Sequence, residues 1–370
     1  MAEPRIVPIV MPKWGLSMQE GKVTGWLMKD GSMINVGDSI LEVETDKIAG
    51  AVEASDAGVL RRRVGEADTI YPVKALLGVI ADPSVPDSEI DAYIASYVMP
   101  AADADEEDQG PKYEFVDTPA GSMRYAKRGS GVETIILIHG FGGDIDNWLF
   151  NIDALAEVAT VYAVDLPGHG QSEKKLAKAT LAGLTAALAG FMKKLKINAA
   201  HLVGHSTGGA IAMQLANDNP KMVKSLTLIN SAGLGSEIGT YVDRFIAAQG
   251  RKDLKPVLEM LFADKSLVSR QLVDDVMKYK RLDGVEPLLK KLGDALFGGG
   301  KQADQPGKKL GSGSPPALVI WGKLDEVIPA AHAKNLVGAK VHVFENAGHM
   351  VFMEKASDVN ALIKTHIAGK

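Results

Sequence analysis

The chain contains no cysteine, which excludes disulfides and thiolate metal sites and leaves any thiol chemistry to a cofactor or substrate. No apolar run approaches the length that spans a bilayer, so no membrane contact is expected. The start, Met1-Ala2-Glu3-Pro4-Arg5, lacks a basic segment followed by an apolar one, the pattern of a secretory leader. Positive charge is not in surplus: the net charge of −5 argues against nucleic acid as a partner. Histidines and carboxylates show no metal-ligand spacing, so no metal is expected. Together these absences fit a cytoplasmic protein. The 370 residues, 46% of them hydrophobic, suffice for one small domain and one of ordinary enzyme size.

Charge and periodicity divide the chain. Residues 1–82 read as a small β domain, with runs such as Lys22–Met28, Ser39–Glu44 and Ala49–Ala54 bounded by Gly and Asp. A faint repeat relates Val36, Ile40 and Val43 to Val73, Leu77 and Ile80, and Gly25-Trp26-Leu27 to Gly58-Val59-Leu60. Two similar halves predict a flattened barrel of quasi-twofold symmetry. Residues 83–112 hold eight acids against one base, Lys112. They begin with a helical stripe, Ile90, Tyr93, Ile94, Tyr97 and Val98, with Asp87 or Ser88 as its cap. That stripe packs on a neighbouring domain or docks a partner subunit. Pro100–Lys112 follows as a self-repelling acidic linker.

From about Tyr113 strands alternate with helices. Thr134–Ile138, Val161–Val164, Ala200–Val203, Ser225–Ile229, Ala317–Trp321 and Val341–Phe344 read as buried strands of a mostly parallel sheet covered on both faces. Between about residues 234 and 312 the rhythm lapses into helices alone, an inserted cap. Residues 240–312 carry fourteen Lys and Arg against ten Asp and Glu.

Two motifs carry chemistry. Val43-Glu44-Thr45-Asp46-Lys47-Ile48 offers one lysine at a turn between two strands, where a modified side chain projects at little entropic cost to its carrier. Gly204-His205-Ser206-Thr207-Gly208 sits between a strand and a helix, the context in which Gly-x-Ser-x-Gly presents a nucleophile. A serine hydroxyl needs an adjacent base. His349, in Asn346-Ala347-Gly348-His349-Met350, is the natural one, and Asp325, after the strand ending at Trp321, can orient it. Glu326 is a rival acid. His139, His169 and His205 read as structural, while His201, His332, His342 and His366 have no special spacing.

The first motif, with Gly15-Leu16-Ser17-Met18-Gln19-Glu20-Gly21 and Gly37-Asp38, resembles the lipoyl domains over about residues 5–82. Asp46 and Ile48 flank the lysine where biotinyl domains usually place Met, so the resemblance implies lipoate on Lys47. The second, in the order Ser, Asp, His, resembles the α/β-hydrolases over about residues 113–370, including His139-Gly140-Phe141-Gly142-Gly143 and Asp165-Leu166-Pro167-Gly168-His169-Gly170-Gln171-Ser172. That resemblance implies an oxyanion hole from the N–H groups of Phe141 and Thr207. The fold class expected is therefore multidomain: an all-β lipoyl/biotinyl-type barrel, then an α/β-hydrolase fold with a helical cap.

The combination resembles the dihydrolipoyllysine acetyltransferases of acetoin-cleaving dehydrogenase complexes. It implies a thiamine-diphosphate-dependent acetoin dehydrogenase component and a dihydrolipoamide dehydrogenase as partners, with coenzyme A as co-substrate. The His-x-x-x-Asp-Gly motif of ordinary lipoyl acyltransferases is absent: Trp26 and Tyr279 stand four residues before the aspartates of the two Asp-Gly pairs. Transfer from dihydrolipoyl-Lys47 to coenzyme A is then expected to run through acetyl-Ser206. Arg251, Lys252, Lys280 and Arg281 are candidates for the coenzyme A phosphates. The alternatives are a hydrolase of a small ester, thioester or C–C bond with the lipoyl domain for docking or delivery, and a carrier whose second domain only binds partners.

Overall fold

A computed structural model of the protein describes residues 6–12, 18–45, 49–54, 56–99 and 113–369. The chain divides into two compact units, residues 1–111 and 112–370.

The first unit is two four-stranded antiparallel sheets. One has the order β1 (Ile6–Val10), β8 (Leu76–Ala81), β6 (Gly58–Arg63), β3 (Met33–Ile34). The other has the order β5 (Ala49–Glu53), β4 (Ser39–Glu44), β2 (Glu20–Trp26), β7 (Thr69–Pro72). Val23, Ile34, Ile40, Leu41, Val43, Leu60 and Leu77 are buried between them in one core. The offset that separates Val36 from Val73 also carries β4 onto β8, β3 onto β7 and β2 onto β6. The expected twofold relation is therefore present in the strands. Gly25 and Gly58 do not follow that offset: one lies near the end of β2 and the other opens β6.

The helical stripe of residues 90–98 forms α1 (Asp87–Ser96) and is not a spare face. Ile90 is fully buried, and Tyr93, Ile94 and Tyr97 pack with it on Leu76, Val79 and Ala81 of the first unit's own sheet. Arg61 and Arg62 of β6 bond Asp87 and Asp91 of the helix, and the Tyr97 hydroxyl donates to the Lys74 carbonyl at 2.9 Å. Val98 falls outside this contact at 83% exposure. The N-cap is Pro86, not Asp87 or Ser88; Asp87 is spent on the arginines. The linker Pro100–Lys112 lies outside the described residues.

The second unit is an eight-stranded sheet. Its strands are β9 (Tyr113–Thr118), β10 (Gly121–Arg128), β11 (Thr134–Ile138), β12 (Thr160–Val164), β13 (Ala200–His205), β14 (Val223–Ile229), β15 (Ala317–Gly322) and β16 (Lys340–Phe344). Their order is β16-β15-β14-β13-β11-β12-β10-β9, and β10 alone runs against its neighbours. The chain moves outward from β11 to β12 through α2 (Ile152–Ala156), then back across β11 to β13 through α3 (Leu181–Lys194) and on through α4 (Thr207–Asp218) to β14. Right-handed crossovers in opposite directions put α2 on one face and α3 with α4 on the other.

The reversal of strand order between β11 and β13 is a switch point, where an open parallel sheet forms its ligand crevice at the carboxyl ends of the strands. The cap between β14 and β15 contains α5 (Tyr241–Ala247), α6 (Arg251–Glu259), α7 (Arg270–Lys280) and α8 (Val285–Phe297), as its helical periodicity predicts. α9 (Val351–Glu354) and α10 (Ala356–Ile367) close the chain. Among the described residues no helix is long and apolar enough to cross a membrane, and no cluster of three His, Asp or Glu side chains suits a metal.

Candidate active site

Ser206 stands at the carboxyl end of β13 with φ 52° and ψ −119°, a left-handed conformation that a serine adopts only when its surroundings enforce it. The flanking glycines show how. A Cβ on Gly204 would lie 2.5 Å from the Gly208 backbone, and one on Gly208 would lie 2.1 Å from the Ile138 carbonyl oxygen. Without side chains there, α4 starts tightly against β11 and the turn closes. The Ser206 N–H donates to the Ile229 carbonyl at 3.0 Å, and the Ser206 carbonyl accepts from Gly209 and Ala232. The backbone of the turn is thus bonded on both sides.

Asp325 follows β15, and its side chain is completely buried. Its Oδ1 accepts the N–H groups of Val327 at 2.7 Å and Ile328 at 2.9 Å. Its Oδ2 accepts His349 Nδ1 at 2.9 Å and Asn230 Nδ2 at 2.7 Å. With Nδ1–H held by a carboxylate, His349 keeps Nε2 as the ring's acceptor. Glu326 is half exposed and pairs with Lys265, so it is not the partner of His349.

His205, the residue before Ser206, donates from Nε2 to the His349 carbonyl at 3.0 Å, and the two rings lie 4.6 Å apart. Burial holds His205 neutral by pushing its pKa well below the ordinary value, and the neighbouring His349 adds to that. The nucleophile turn and the base are therefore joined through a neutral ring that does not compete for charge.

The Gly140–Gly143 turn carries Phe141. Gly143 N–H closes it on the Gly140 carbonyl at 3.2 Å, and Gly142 sits at φ 76°. A Cβ on Gly140 would fall 3.0 Å from the Ser206 Cβ, so this backbone passes directly beside the nucleophile. Thr207 is the first residue of α4, and its N–H is one of the four that no helical carbonyl can accept. His139 braces the loop: Nδ1 donates to the Gly140 carbonyl at 2.7 Å and Nε2 accepts the Leu166 N–H at 3.0 Å. Burial pushes its pKa down to about 4, which keeps this one neutral tautomer. Beneath, Asp165 bonds Arg124 at 2.6 Å and the N–H groups of Ile145 and Gln171.

Several contributors carry no motif. Asn230, at φ 43° after β14, bridges Asp325 to the Gly348 carbonyl at 3.3 Å. A lone Asn after a strand, a residue that tolerates left-handed backbone, is the only sequence signal. Glu354 accepts the N–H groups of Gly348 at 2.6 Å, Ala263 at 2.8 Å and Asp264 at 3.2 Å, tying the His349 loop to the cap. Of the proposed phosphate contacts, Lys280 is only 2% exposed and spends its ammonium on backbone carbonyls, so it is not available to a ligand. Arg251 pairs with Asp274.

In the first unit, β4 and β5 pair as far as Glu44 opposite Ala49, leaving residues 45–48 as the connection. Lys47 lies outside the described residues.

A strained serine turn, a buried Asp–His pair and loop N–H groups beside them, all at the switch point of this sheet, define an α/β-hydrolase-fold protein fused to a lipoyl/biotinyl-type barrel. The family described as alpha/beta hydrolase fold matches residues 133–356, and that described as biotin-requiring enzyme matches residues 7–75. The chain is 55% identical, over 99% of its length and 98% of the relative's, to the dihydrolipoyllysine-residue acetyltransferase component of the acetoin cleaving system of Cupriavidus necator. It is 45% identical to the Pseudomonas putida protein of the same description, covering 96% of this chain and 97% of that one. A solved structure of a meta-cleavage product hydrolase from Pseudomonas fluorescens covers 68% of this chain and 95% of its own, with TM-score 0.62 and 23% identity, a likeness of fold. The chain belongs to the family of dihydrolipoyllysine-residue acetyltransferase components of acetoin cleaving systems.

Proposed function

We propose that this protein is the acetyltransferase of an acetoin-cleaving complex, moving an acetyl group from dihydrolipoyl-Lys47 to coenzyme A through acetyl-Ser206. The observation that carries the reading is the Ser206 turn joined to a buried Asp325–His349 pair, in a chain that has no His-x-x-x-Asp-Gly.

Lipoate in amide linkage on Lys47 supplies the sulfur that carries the acetyl group as a thioester. Lys47 follows the last described pair of the β4–β5 ladder, Glu44 opposite Ala49, in sequence, and its primary amine is the group that an amide-linked carrier needs. His349 Nε2 takes the proton of Ser206 Oγ, and Oγ attacks the thioester carbon. The Phe141 and Thr207 N–H groups receive the negative oxygen, each contribution of this kind amounting to about 2.7–4 kcal/mol. As the adduct on Ser206 Oγ collapses, its carbon–sulfur bond would break and His349 Nε2 would return the proton to the departing sulfur. The coenzyme A thiol then gives its proton to His349 while its sulfur attacks the acetyl-serine. Ser206 Oγ leaves and recovers the proton. Asp325 holds the imidazole in one tautomer and stabilises its charged form throughout. The thiamine-diphosphate-dependent acetoin dehydrogenase component would load the carrier, and dihydrolipoamide dehydrogenase would reoxidise it.

The test is the fate of acetyl-labelled dihydrolipoamide given to the full chain. Acetyl-CoA when coenzyme A is present, with little acetate, is the expected result. Acetate as the main product with and without coenzyme A would replace transfer by hydrolysis.

A further inference from the structure

Lys280, the last residue of α7, is among the largest fully buried side chains of the protein. A buried lysine is rare without a paired anion. Here the ammonium instead donates to the carbonyls of Phe245, Ile246 (3.3 Å) and Ala248 (2.7 Å), at the end of α5. Three donors meet three acceptors, which are carbonyls that a helix end leaves without partners. Its Nζ also lies 5.0 Å over the Phe245 ring. α5 ends at Ala248 in extended backbone without a glycine cap, so Lys280 does the work of one.

Phe245 faces the oxyanion loop from the other side. A Cβ on Gly142 would lie 2.8 Å from the Phe245 ring, and the ring meets Phe141 edge-on at 6.2 Å. The contacts run unbroken from Lys280 to the end of α5, to the Phe245 ring, and to the Phe141-Gly142 backbone.

We infer that Lys280 is a positioning residue for the reaction: by closing the end of α5 it holds Phe245 against the Phe141-Gly142 turn and fixes the Phe141 N–H beside Ser206. The inference rests on the proposed role of that N–H in holding the oxyanion. A preorganised donor loses its effect when it moves by a fraction of an ångström, so loosening the brace lowers kcat and leaves substrate binding alone.

The experiment compares Lys280→Met, Phe245→Leu and Lys278→Met in the full-length protein, with acetyl-dihydrolipoamide and coenzyme A as substrates. Lys280→Met keeps the buried chain and removes the three donors. Its kcat is expected to fall about 10- to 100-fold with both KM values nearly unchanged. Its affinity for a trifluoromethyl ketone analogue of the donor, which forms an oxyanion on Ser206, is expected to fall by a similar factor. Phe245→Leu keeps the lysine–carbonyl bonds, is expected to reproduce the kcat loss, and carries the test alone if Lys280→Met does not fold. Lys278, exposed on the same helix and paired with Asp275 at 2.9 Å, is the neutral control. Unchanged kcat in either Lys280→Met or Phe245→Leu, or a rise in KM alone, overturns the inference. Ser206→Ala in the same assay separates the levels: full transfer by that variant removes the triad reading and this inference with it. Loss of transfer there, beside full activity in Lys280→Met, refutes the brace alone.

Discussion

Replacing Asp325 by Asn tests the Asp–His pair with almost no change in volume. Oδ1 faces two fixed backbone donors, Val327 N–H at 2.7 Å and Ile328 N–H at 2.9 Å. The new amide must turn its oxygen to that side, because its NH2 group would otherwise meet both. The NH2 then replaces Oδ2 and points at the Asn230 amide and at His349 Nδ1. Two donors now oppose it. His349 relieves the clash by moving its proton to Nε2, which leaves Nδ1 as acceptor and removes the base that Ser206 needs. The Asn230 bond is lost and the His349 bond survives only with donor and acceptor exchanged, so the charge assistance of both goes, about 1.5–3 kcal/mol at each. The sum of about 3–6 kcal/mol corresponds to roughly a hundredfold to ten-thousandfold in rate. Steady-state acetyl-CoA formation from acetyl-dihydrolipoamide measures it, and circular dichroism checks that the fold persists. A folded Asp325→Asn protein within tenfold of the parent kcat would refute the reasoning.

Asn230→Ala removes one of the two donors on Oδ2 and the tie to Gly348; kcat should fall about 10- to 100-fold with KM unchanged, and a rise in KM alone would give Asn230 a different role. Gly208→Ala drives a Cβ to 2.1 Å from the Ile138 carbonyl, so the second unit should lose its cooperative unfolding transition while intact mass still shows lipoate on the first; a normal transition would contradict the packing. His139 and His169 are fully buried, and burial pushes their pKa values down to about 4 and about 3. Both are neutral in the folded and unfolded chain above about pH 6.5, so they do not affect stability there. As pH falls below 6.5 the unfolded chain takes up protons that the fold refuses, and at pH 5 each costs about 2 kcal/mol. The urea midpoint of the second unit should drop between pH 7 and 5, with His205 adding to the effect in the same direction, and should drop less in His169→Phe; an unshifted midpoint would contradict the neutral, buried assignment.

Where period and burial coincide, the fold was readable from the residues. The apolar runs of β11, β13, β14 and β15 are buried on both faces, and their predicted bounds fall within two residues of the observed strands. β9 and β10 gave no such signal. β9 is an edge strand with Glu114, Phe115 and Asp117 in solvent and no residue fully buried, and β10 buries Arg124 against Asp165, a polar residue where a strand reading looks for an apolar one. The Ser206, Asp325 and His349 set was legible because each sits at a strand end in a fixed order. Asn230 and Glu354 were not, because their roles come from contacts far apart in sequence; His205 read as structural, and its bond to the His349 carbonyl agrees. Lys280 shows the opposite error. Among fourteen basic residues it reads as solvated charge, and only its three carbonyl partners reveal a buried one.

The most direct test of the central claim is Ser206→Ala in the full-length, lipoylated protein, with the acetyl group loaded on Lys47 and followed by intact mass before and after coenzyme A is added. The variant should load normally, keep its acetyl group, and form no acetyl-CoA, whereas the parent should discharge and pass through a protein acetylated on Ser206. Discharge of the variant at the parent's rate, with acetyl-CoA as product, would contradict transfer through the serine.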